Sequence, residues 1–109
     1  MGRLSEEING HAATFLLDTG ATFVAIPANV ADRLGLQRGR RIAVSTANGT
    51  ADSFTTRIDT LQLGAIRLHD VNAGIVPGMD GEEILLGMSA LRQLEFTQRG
   101  GELILRQHR

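Results

Sequence analysis

With 109 residues, 42% of them hydrophobic, and a formal net charge of −1, the chain is bounded to one domain with a modest core, too short for two tandem lobes. No basic stripe interleaved with aromatics occurs, which argues against nucleic acid as a partner, and no apolar run reaches membrane-spanning length. Cysteine is absent, so a disulfide framework, a thiolate nucleophile and a cysteine-ligated zinc are excluded.

The first predicted strand runs from Arg3 to Ile8 and turns at Asn9-Gly10, a hairpin signal whose glycine accepts positive φ. The next strand, Ala13-Thr14-Phe15-Leu16-Leu17, is expected to be buried on both faces and delivers Asp18-Thr19-Gly20-Ala21 at its end. A β-branched and aromatic run, Thr22-Phe23-Val24-Ala25-Ile26, resumes directly afterwards. An ionisable group set between two core strands is costly to bury without a purpose. Pro27 then stands at a first helical position, Val30 and Leu34 lie four apart, and Gly35 ends a short helix.

Arg41-Ile42-Ala43-Val44-Ser45 and Ser53-Phe54-Thr55-Thr56-Arg57-Ile58 flank a polar hairpin tip, residues 46–52, centred on Asn48-Gly49. Alternating apolar and polar residues from Leu61 to Val71, on both sides of Gly64-Ala65, predict another hairpin. Residues 78–83 form an acidic, glycine-rich loop, read as a solvated connector because a calcium loop needs a longer ladder of ligands. Ile84-Leu85-Leu86-Gly87-Met88 is an apolar run closed by glycine, and Ser89 to Leu94 reads as a short helix with Met88, Leu91 and Leu94 on one side. Phe96 and Leu103-Ile104-Leu105 flank Arg99-Gly100-Gly101 and give a last hairpin.

Asp18-Thr19-Gly20 is the feature that carries chemistry, and neither Asp-Thr-Gly nor Asp-Ser-Gly occurs a second time. Two carboxylates that share one proton can hydrolyse a peptide: the ionised one draws a proton from water while the protonated one polarises the scissile carbonyl. One chain supplies one such carboxylate, so this chemistry requires two chains to meet at Asp18. Read alone, the tripeptide is also compatible with a plain Asx-type turn, and the apolar run before Gly87 with an ordinary core strand. His11, His69 and His108 are scattered, without the helical spacing of a zinc pair, and no Gly-x-Ser-x-Gly elbow exists for a serine triad. No metal or cofactor is expected.

Asp18-Thr19-Gly20-Ala21, followed about seventy positions later by Leu85-Leu86-Gly87 and a short helix, resembles the retropepsin-like, single-domain aspartic proteases, of bacterial more than viral type. The resemblance spans roughly residues 5 to 106. It implies a mostly β protein: a closed antiparallel β barrel with one or two short helices, residues 1–109 forming a single domain that is half of a homodimeric enzyme. It implies an aspartic endopeptidase that holds a peptide or protein substrate in a tunnel across the two-fold axis. Asp18 would be the catalytic acid and base, Thr19 a hydroxyl bonding to its twin across the axis, and Gly20 the point of close backbone approach. Leu85, Leu86 and Gly87 would support the catalytic turn from beneath. Ala21 would line the substrate, and Thr46, Ala47, Asn48 and Gly49 would form a flap whose backbone bonds to the substrate and whose opening admits it. The same hairpin, without the resemblance, reads equally as a solvent-exposed turn.

Alanine at position 21 lacks the hydroxyl with which serine could bond the carboxylate, which leads to an expected activity optimum in the mildly acidic to neutral range. Leu103 to Leu105 are expected in a dimer sheet or, alternatively, on an edge strand protected by Arg106 and Arg109. The segment after Gly87 is longer than in viral members, which leaves the arrangement of that interface open. Residues Met1 to Glu7 hold no apolar signal region and are compatible with a truncation point; bacterial proteins of this type often carry an N-terminal membrane anchor, so the resemblance implies a periplasmic or membrane-tethered setting for a longer form. The alternative function is a catalytically silent dimeric peptide-binding or scaffold domain of the same fold, and a generic β-barrel interaction module is the third reading.

Overall fold

The computed structural model describes residues 3–46, 49–63, 66–99 and 102–107. Nine strands and two short helices follow one another among them: β1 Arg3–Ile8, β2 His11–Leu17, β3 Val24–Pro27, α1 Ala28–Leu34, β4 Arg41–Thr46, β5 Gly49–Leu63, β6 Ile66–Val76, β7 Glu83–Leu86, α2 Met88–Leu91, β8 Leu94–Arg99 and β9 Glu102–Gln107. Seven strands form one sheet in the order β1-β2-β7-β3-β6-β5-β4, and a further pairing of β1 with β5 closes six of them into a barrel. β4 hangs from the outside of β5, and β8 pairs with β9 as a separate two-stranded sheet. This is the closed, mostly antiparallel β architecture implied by the resemblance.

Local chemistry accounts for the corners. Asn9 and Gly10 adopt φ of 50° and 84°, the doubly positive turn whose twist matches a tight hairpin, and Ile8 pairs with His11 across it. At the end of α1, Gly35 takes φ 72°; its N–H donates to Asp32 O and that of Leu36 to Ala31 O, a Schellman closure that a residue with a Cβ would strain. Val30, Ala31 and Leu34 are the buried face of this helix. Phe15, Ile26, Ile58, Leu61, Leu68, Ile75, Ile84 and Leu86 are all fully enclosed, one core inside the barrel.

Four sequence expectations shift in detail. Strand β2 is fully buried on one face only, with Thr14 and Leu16 half-buried, because Ala13, Phe15 and Leu17 take the core side and alternate residues point away from it. Pro27 ends β3 as the residue before α1 and not as its first turn; its φ of −59° suits either position. The polar tip is shorter than residues 46–52, since pairing continues from Arg41↔Phe54 to Thr46↔Gly49. Helix α2 stops at Leu91 and Leu94 opens β8, where aromatic and β-branched content favours a strand. Among the described residues no helix is long and apolar enough to cross a membrane.

Candidate active site

Two parallel pairings create the site. β2 runs parallel to β7, with Leu17 beside Leu86, and β3 runs parallel to β6; Ala25 of β3 meets Leu85 of β7 antiparallel. β7 therefore lies between the strand that enters the Asp18 turn and the strand that leaves it. The turn sits over the end of β7, where Asp18 N–H donates to Leu86 O at 3.1 Å.

Within the turn, Ala21 N–H donates to Asp18 O at 3.1 Å and Gly20 N–H donates to Asp18 Oδ1 at 3.0 Å. The second bond fixes the carboxylate's rotamer from the backbone, an Asx geometry. Asp18 is only 5% exposed and, with Ser53, makes up the buried polar side chains among the described residues, while Thr19 and Gly20 are exposed. A carboxyl group held still at the edge of the core, with its next two residues facing outward, can act on a molecule presented from that side.

Gly87 locks the frame. A Cβ at this position would overlap the Phe23 carbonyl oxygen and lie 2.8 Å from Ala21 O, so only glycine lets β7 turn beneath the Asp18 loop. The chain then climbs alongside it: Met88 N–H donates to Ala21 O at 2.8 Å and Ser89 N–H to Thr22 O at 2.9 Å. Ser89 Oγ accepts from Val24 N–H at 3.0 Å and donates to Asn72 O at 2.7 Å. One hydroxyl thus ties β3 to β6 next to the site. Sequence reading placed Ser89 merely on a helix; a short polar residue two positions after an obligatory glycine was the available signal.

Leu85 pairs with Ala25, Leu86 O accepts from Asp18 N–H, and Gly87 lies against the Phe23 and Ala21 carbonyls. Ala21 lies within the turn itself. Its side chain is completely buried and its backbone N–H and C=O are both engaged, so it builds the turn instead of lining an open wall. Of the expected flap residues, Thr46 pairs with Gly49, whose φ is 107°, and Ala47 and Asn48 lie outside the described residues. The hairpin base is clamped to the loop after α1: Gly39 N–H donates to Thr55 O at 2.6 Å, Thr55 N–H to Arg40 O at 2.7 Å and Arg40 N–H to Thr55 Oγ1 at 2.8 Å. His11 and His69 are exposed.

Residues 4–93 match the gag-polyprotein putative aspartyl protease family. The chain belongs to that family. In keeping with a family member of this fold, it resembles the crystal structure of a retropepsin-like aspartic protease from Rickettsia conorii with a TM-score of 0.74 at 22% identity, over 96% of this chain and 80% of that one. It is also 32% identical over 103 residues to an uncharacterized protein in the cobV 5′ region of Sinorhizobium sp., a match covering 91% of this chain. The chain spans 44% of the length of that relative.

Proposed function

We propose that this family member is an aspartic endopeptidase in which the Asp18 carboxylates of two identical chains activate one water for attack on a peptide bond. The observation that carries the reading is one carboxylate, the only one buried among the described residues, oriented by Gly20 N–H on a turn whose Asp18 N–H donates to Leu86 O, in a chain with one Asp-Thr-Gly. In the productive state one Asp18 is ionised and takes a proton from the water; its twin, protonated, donates to the substrate carbonyl.

Thr19 and Gly20 are exposed on the single chain, and a second copy would cover them, with the Thr19 hydroxyls bonding across the axis. Gly87 and Ser89 act as positioning residues. Gly87 does so by its close approach to the Phe23 and Ala21 carbonyls, and Ser89 through its N–H to Thr22 O and its hydroxyl to Val24 N–H and Asn72 O. The β4–β5 hairpin, with residues 46–49 at its end, is the segment proposed to fold over the bound peptide.

Digestion of an unbiased peptide mixture by wild type and Asp18→Asn, alongside sedimentation of both, tests this reading. We expect cleavage by a dimer that disappears in Asp18→Asn while the dimer and the fold persist, because a single carboxylate in general acid–base chemistry is worth roughly 10²–10⁴ in rate. A well-folded dimer that binds peptides and cleaves none would instead make it a silent binding domain.

A further inference from the structure

The loop after α1, the base of the β4–β5 hairpin and Phe23, on the segment leaving the Asp18 turn, line an open cleft of about 720 Å³. Arg38, Arg40 and Arg57 line it, against one carboxylate, Asp59. Among the described residues no carboxylate pairs with Arg38 or Arg40, and Arg57 makes only a 3.9 Å contact to the largely exposed Asp70. Arg38 lies over the Phe54 ring, 5.1 Å from its centroid, which holds the flat guanidinium while leaving its N–H edge available to an acceptor.

Like charges lining a concavity focus a positive potential, and the group that relieves it is a carboxylate or another anion. The cleft's floor is continuous with the catalytic frame: Phe23 lies on the segment that leaves the Asp18 turn, and Asn72, also in the cleft, accepts through its backbone from the Ser89 hydroxyl that bonds Val24. The volume suits several residues of a peptide better than a lone small anion.

We propose that this cleft anchors an acidic segment of the polypeptide substrate, outside the bond that is cut. The inference rests on the proteolytic reading above and names the substrate class: polypeptides with a Glu- or Asp-rich stretch near the cleaved bond. Anchoring such a stretch raises the local concentration of the scissile segment at Asp18 without touching the reacting atoms.

The test is fluorescence anisotropy on the full chain carrying Asp18→Asn, so that cleavage does not intervene. The probes are a short Glu-rich peptide and its Gln-for-Glu counterpart, with inorganic phosphate as competitor. The Glu peptide is expected to bind, more weakly as salt rises, and the Gln peptide to bind far less. Arg38→Gln and Arg40→Gln each weaken binding by roughly two- to fivefold, as for exposed ion pairs, and the double variant by more. Arg33→Gln, outside the cleft on α1, leaves it unchanged.

Equal affinity for the two peptides, or an equal loss in Arg33→Gln, overturns the inference. Complete displacement by phosphate at an ionic strength where chloride has no effect reassigns the cleft to a small anion and also overturns it. Absence of acidic-peptide binding while wild type still cleaves defeats the anchor alone. Binding by a chain that never cleaves leaves the acidic-peptide site standing and defeats the proteolytic reading alone.

Discussion

The Asp18 turn and the β4–β5 hairpin are both strand–turn–strand segments of the same sheet, yet they are held in opposite ways. The turn is tied by bonds between residues far apart in the chain, from Asp18 to Leu86, Ala21 to Met88 and Val24 to Ser89, and its carboxylate is buried. The end of the hairpin pairs only with itself among the described residues, carries an exposed Arg41–Asp52 ion pair at 2.8 Å, and joins the body at its base, where Thr55 bonds the loop after α1 and β5 takes up its pairing with β6. Stiffness is therefore concentrated where a carboxylate must be aimed. On the proposed reading, the hairpin side is where a peptide would enter.

The comparison breaks most sharply at Gly87. Gly87→Ala places a methyl group against the Phe23 and Ala21 carbonyls, backbone atoms that cannot step aside, and should cost about 3 kcal/mol or more. Urea denaturation checks the stability, and we expect loss of peptide cleavage even where the variant folds. Wild-type stability in Gly87→Ala would mean that the frame is far softer than described.

Ser89→Ala sharpens the picture without such disruption. It removes the hydroxyl shared by Val24 N–H and Asn72 O, and a loss of about 1–2 kcal/mol follows for two partly exposed hydrogen bonds. Hydrogen exchange should rise at Val24. The smallest effect is expected at the hairpin: Arg41→Ala removes an ion pair whose side chains are 72% and 74% exposed, worth at most about 1 kcal/mol and less at high salt. A larger loss there, measured by thermal melting, would erase the contrast between the two regions.

The sequence made the barrel and the turn legible for different reasons. Asn9-Gly10, Gly35 and the apolar strands announce themselves through backbone chemistry and period, and each stands where local rules put it. Asp18 was legible because a carboxylate between core strands has few reasons to exist. Ser89 was not, since its partners Val24 and Asn72 are brought together only by parallel pairings that no local pattern encodes. Leu94 misled for a related reason: its helical spacing from Leu91 competed with the strand pairing of β8 with β9, which prevailed. The arginine-lined cleft was equally hidden, because Arg38, Arg40 and Arg57 come from two elements and read singly as ordinary surface charges.

The central claim is that one active site takes a carboxylate from each of two chains. Unfolding wild type with increasing shares of Asp18→Asn, refolding them together at constant total protein and measuring peptide cleavage tests it directly. If both Asp18 groups are required, activity falls as the square of the wild-type fraction, since only wild-type pairs cut. Activity falling in simple proportion to the wild-type fraction, from mixtures shown to exchange chains, would mean that each chain works alone and would contradict the account.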